Sequence, residues 1–149
     1  MTRFHRWFGI ALSLIFIFTG QYMLRIAHVA DLAMGPRLLY RSRHIYILMA
    51  ALINLALGAY FVPAPRAGAR ITQRVGSVLI AIGSVLLIVS FFYDAPHADL
   101  VPLDLVYSKW GILTVAGGTV LHAIASAMRP RVTAAASARD AADRERASL

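Results

Sequence analysis

Five histidines, His5, His28, His44, His97 and His122, are the residues of this chain whose chemistry could hold a cofactor. No cysteine is present, which excludes disulfides, thiol nucleophiles and thiolate metal centres. There is no phosphate-binding glycine loop, no nucleophile elbow and no serine, histidine and aspartate set at a recognisable spacing. The long apolar runs hold no Asp or Glu, so the titratable carboxylates that proton relays use at membrane depth are missing. Imidazoles remain. Two of them, offered by two helices at similar depth, are what a b-type haem requires. His122 shares a helical face with Gly111, Val115 and Gly118, where the small residues leave room for a flat ring or for a neighbouring helix.

A second constellation combines Asp94, His97 and Asp99, in the spacing Asp-x-x-His-x-Asp, with His28, Asp31 and His44. Carboxylate and imidazole ligands suit a divalent ion such as zinc if these loops converge. Otherwise the acidic segment, broken by Pro96 and Pro102, is a solvated loop. The arginines Arg37, Arg41 and Arg43, with Tyr40 among them, offer lipid-phosphate or acidic-partner contacts, or an answer of opposite sign to the Asp94 loop.

The elements that must position these groups follow from composition. Hydrophobic residues make up 59% of the 149 residues, and mean hydropathy is +0.66. That exceeds the apolar share of about 45–50% found in soluble domains. Uncharged runs over 7–24, 44–62, 75–93 and 110–128 each approach one bilayer thickness. The expected fold is an all-α bundle of four transmembrane helices over 1–128, followed by a polar Ala- and Arg-rich tail over 129–149. The 26–43 segment, with Gly35-Pro36 and its arginines, reads as a loop.

Four spans put both termini on one side. The net charge of +8 is almost wholly arginine, Lys109 being the only lysine. With the termini inside, ten arginines lie inside, against four arginines and Lys109 outside. This orientation satisfies the positive-inside rule and places the termini in the cytoplasm of a bacterial-type inner membrane. His5 and His122 then lie toward the inner side, and His28, His44 and His97 toward the outer side. Such basicity marks topology and anionic-lipid contact here, not nucleic-acid binding.

Small residues recur every seven positions. Gly76, Gly83 and Ser90 line one face of the third run, with Ser77 and Ser84 beside them. His44, Ala51 and Gly58 do the same in the second, and Gly111, Gly118 and Ala125 in the fourth. In lipid, where no hydrophobic drive brings helices together, small residues let backbones approach, and a seven-residue period implies left-handed packing. Gln21 and Asn54 are candidates for hydrogen bonds between helices.

The first run resembles a known family. Residues 3–9, Arg-Phe-His-Arg-Trp-Phe-Gly, followed by Thr19-Gly20-Gln21-Tyr22-Met23, resemble the opening helix of bacterial cytochrome b561-type proteins and the start of the PepSY-associated membrane helix. The resemblance implies His5 as a haem ligand, with His122, His28 and His44 as the other candidates. It departs from the family in the fourth helix, which offers His122 alone.

Seams without reactive groups point to a non-catalytic accessory or assembly subunit of a membrane complex, in contact with lipid and with other membrane subunits or its own copies. A b-type haem electron carrier, or a small oligomeric channel or carrier, is the alternative. Nothing in the residues points to an enzyme.

Overall fold

The computed structural model describes residues 1–95 and 105–128. Within them the protein is all-helical. Helix α1 spans Thr2–Arg25, α2 Met34–Tyr60, α3 Ala67–Tyr93 and α4 Val106–Ala127, with a single 3-10 turn at Val29–Asp31. All four are long and apolar enough to cross a membrane, with mean hydropathies of 1.6, 1.3, 2.5 and 1.4 in chain order.

The helices run up and down. Contacts between His5 and Asn54 and between Ser77 and His122 bring the start of α1, the end of α2, the start of α3 and the end of α4 to one end of the bundle. Contacts of His44 with Thr19 and of Arg43 with Asp94 define the opposite end. Helix α1 packs on α2, and α3 on α4, while α2 joins the two pairs. The share of the apolar window that is buried is 44% in α3 but 17% in α1, so α3 is the central helix and α1 the peripheral one. Mid-bundle, Leu12, Ala50, Leu87 and Val115 meet in one core cluster with a member from each helix.

Two glycine contacts set the spacing within the pairs. A Cβ added to Gly118 would lie 2.5 Å from the Gly76 carbonyl oxygen, and one added to Gly58 would lie 2.7 Å from the Arg6 Cα. Backbone touches backbone at both places, an approach that only glycine permits. Gly83 and Gly111 continue the α3/α4 line, and Ala51 and Ala125 are fully buried. Ser90 is buried too, and donates to the Leu87 carbonyl at 2.8 Å.

The segment read as a loop is largely helix. Helix α2 begins at Met34, so Pro36 falls in its first turn, where a missing N–H has no intrahelical partner to lose and a fixed φ is compatible with the helix. The proline therefore opens the helix instead of breaking it. His28, at φ 43°, makes the left-handed turn between α1 and the 3-10 turn.

Candidate functional site

Each of the four helices contributes at least one side chain to a buried polar cluster near the end that holds the N-terminus. His5 Nδ1 lies 2.8 Å from Asn54 Oδ1, and His5 Nε2 lies 2.9 Å from Ser77 Oγ. On its other side Ser77 Oγ lies 3.1 Å from His122 Nε2. His5 and Asn54 are fully buried, and His122 is 6% exposed.

The cluster has a direction that follows from its own bonds. Asn54 Nδ2 donates to the Ala50 carbonyl at 2.9 Å and to Ser84 Oγ at 3.3 Å. Ser84 in turn donates to the Ile80 carbonyl at 2.7 Å. Asn54 therefore presents its Oδ1 to His5, and His5 Nδ1 must carry the proton. In a neutral imidazole that leaves His5 Nε2 as an acceptor for the Ser77 hydroxyl, whose oxygen then accepts from His122 Nε2–H. Met1 Sδ, a weaker acceptor, lies 3.8 Å from the same hydroxyl. The chain of donors thus runs from His122 through Ser77, His5 and Asn54 to Ser84 without a conflict.

A second polar group sits at the opposite end. Arg43 and Asp94 are both about 95% buried, with Arg43 Nη2 3.9 Å from Asp94 Oδ2. The same carboxylate oxygen accepts from the Ser108 backbone N–H at 3.0 Å and from the Ser108 hydroxyl. Asp94 thus supplies an acceptor in the first turn of α4, a turn whose N–H groups have no partner within the helix. Arg43 also donates to Ser42 Oγ at 2.8 Å and lies over the Tyr46 ring at 5.8 Å.

The candidate residues distribute as follows. His5 and His122 come together, their ring centroids 6.1 Å apart. His28 is exposed in the turn after α1. His44 lies at the other end, stacked on Phe16 at 4.0 Å, with its Nδ1 3.0 Å from Thr19 Oγ1. The two histidines of the first pair converge on one serine hydroxyl, and Gly76 and Gly118 beside them are filled by the facing backbone. In this arrangement both Nε2 atoms are turned to the Ser77 hydroxyl.

For the divalent-metal set, His97 and Asp99 lie outside the described residues, and Asp94 faces Arg43 and Ser108. Among the described residues no group of three metal-ligating side chains assembles. Of Arg37, Arg41 and Arg43, only Arg43 is buried. Arg37 donates to the Leu32 carbonyl at 2.8 Å, tying the 3-10 turn to α2, and Arg41 is exposed. Gln21 is exposed and does not bridge helices.

Three contributors carried no prior signal as partners. Ser77 was visible only as a small residue beside the glycine line. Gly9 has no seven-residue repeat, yet a Cβ there would meet Leu55 N at 2.8 Å. Gln73, 2% exposed, accepts from Ala64 N at 2.9 Å and donates to the Val62 carbonyl at 3.1 Å, anchoring the α2–α3 connection. A lone neutral amide between Arg70 and Arg74 was its one trace in the sequence. Comparison with protein-family models, with curated proteins and with solved structures returned no match.

Proposed function

We propose that this chain is a non-catalytic accessory or assembly subunit of a larger complex in a bacterial-type inner membrane, its termini cytoplasmic and its helices packed with left-handed crossings. The observation that carries this reading is the inward engagement of the polar groups. Among the described residues, His5, Asn54, Ser77, Ser84 and His122 bond to one another or to the helix backbone.

What faces outward is apolar. Trp7, Phe18, Leu113 and Val120 are each more than half exposed, and a Cβ on Gly117 of α4 would meet nothing within 4 Å. A small residue on an outward face of a membrane helix permits close approach by another helix. The arginine bias toward the terminal side supports the orientation.

Purification of the tagged chain from its own membrane in a mild detergent tests the proposal. The expected result is co-migration with other membrane proteins in fixed ratio, in a complex well above the 16.3 kDa of one chain. Recovery as a lone monomer, or with a bound redox cofactor, contradicts it.

A further inference from the structure

A groove of about 320 Å³ lies where the end of α2, the start of α3 and the end of α4 meet, bordered by Leu57, Tyr60, Phe61, Thr119, His122 and Ala123. It is at the lower edge of the volumes of about 300–1,000 Å³ that hold small ligands. Its floor includes a buried imidazole with one nitrogen to offer. His122 Nε2 points to Ser77, and its Cδ2 is the atom that a Cβ on Gly76 would meet at 2.9 Å. The edge carrying Nδ1 is therefore left toward the groove, where no hydrogen bond from a described residue meets it.

Of the other polar side chains that line it, Gln73 and Thr119 are engaged, while the hydroxyls of Tyr60 and Ser126 belong to exposed residues. Gln73 bonds to Val62 and Ala64, and the Thr119 hydroxyl donates to the Val115 carbonyl at 2.8 Å. The direction of the buried network assigns His122 Nδ1 a lone pair, because the proton sits on Nε2. A guest that bonds to this nitrogen must therefore donate. A carbonyl or an anion would find no free donor at this nitrogen, and among the described residues no carboxylate borders the groove to receive a cation. Phe61 stands edge-on to His122 at 5.6 Å, and Tyr60 adds a second ring to the wall, a setting that favours an aromatic guest.

We propose that this groove binds a lipophilic phenol, a hydroxylated aromatic ring on an apolar tail, whose O–H donates to His122 Nδ1. This site does not depend on the accessory-subunit reading, and each can fail without the other.

The test uses the full chain in lipid nanodiscs, with empty discs as the baseline for partitioning, and two probes, 4-octylphenol and its methyl ether 4-octylanisole. The phenol is expected to bind saturably at one per chain, at least tenfold more tightly than the ether, and to move the 15N resonance of His122 Nδ1. Ala123→Trp, at an exposed position on the groove wall, is expected to weaken phenol binding at least tenfold. Val120→Trp, on the lipid-facing side, is expected to leave it unchanged. Equal binding of phenol and ether, uptake no greater than in empty discs, or undiminished binding by Ala123→Trp overturns the proposal.

Discussion

Gly118→Leu is expected to separate α3 from α4 and to cost about 3 kcal/mol or more of bundle stability, the upper end of overpacking penalties. The first atom of the new side chain would already lie 2.5 Å from Gly76 O and 3.0 Å from Ile80 N. Both belong to a helical backbone, which cannot rotate away as a flexible side chain can. Relief requires the helices to part, and parting them also pulls His122 from Ser77, since the two sit on opposite sides of this contact. The neighbouring Gly117→Leu is the internal control. Its Cβ meets nothing within 4 Å, so the same chemical change one residue away is expected to fall within about 0.5 kcal/mol of the parent. Unfolding titrations of both variants in mixed micelles, monitored by far-UV circular dichroism, measure the difference. Equal destabilisation would place the glycine line somewhere other than at a helix contact.

The second large effect is expected at Asp94. Replacing it by Asn removes the charge facing Arg43 but leaves an oxygen able to accept from Ser108. Replacing it by Ala removes both. Arg43 is 4% exposed, so a lone guanidinium there has little water to turn to. Removing one partner of a buried ion pair costs about 3–5 kcal/mol, most of it the penalty of the charge left behind. The Nη2 to Oδ2 separation of 3.9 Å makes this a charge contact more than a hydrogen bond, so Asp94→Asn is expected near the lower end of that range. Asp94→Ala should cost about 1 kcal/mol more, the usual value of a lost cap. Adding Arg43→Met to Asp94→Asn should recover most of the loss, because no unpaired charge then remains. A double-mutant cycle on thermal unfolding in micelles reads these values. Additive losses in the double variant would mean that the two residues do not interact.

How much of this was legible beforehand depended on which physical signal each feature leaves. Hydropathy located the four helices, because crossing a bilayer demands an apolar run whatever its neighbours are. It missed the first turns of α2 and α3, where Arg37, Arg41, Arg43, Arg70 and Arg74 are helical but charged. A hydropathy run ends at a charge, whereas a helix ends only where its hydrogen bonds do. The parity of four spans also placed His5 and His122 toward one end. Their joining through Ser77 and Asn54 was not legible, because it depends on the rotation of each helix about its axis, which packing sets. Asp94 was legible as a ligand type beside His97, but its contacts, as the residue that caps α3, with the start of α4 and the inward face of α2 were not, for a related reason.

The residues that carry the resemblance of the first helix to b561-type proteins have packing and hydrogen-bond partners in this fold. Gly9 lets α2 approach, Thr19 receives His44, and His5 bonds to Asn54 and Ser77. Short helix-opening patterns of this kind are shaped by packing and interfacial anchoring as well as by cofactor ligation.

The most direct test of the buried network is the 15N spectrum of histidine-labelled protein in lipid bilayers, assigned by His5→Gln and His122→Gln. The proton positions derived above require His5 to be the Nδ1–H tautomer and His122 the Nε2–H tautomer, with a through-space cross-peak between the two rings. His5 found as the Nε2–H tautomer, or the two rings found without a mutual contact, would contradict the four-helix network.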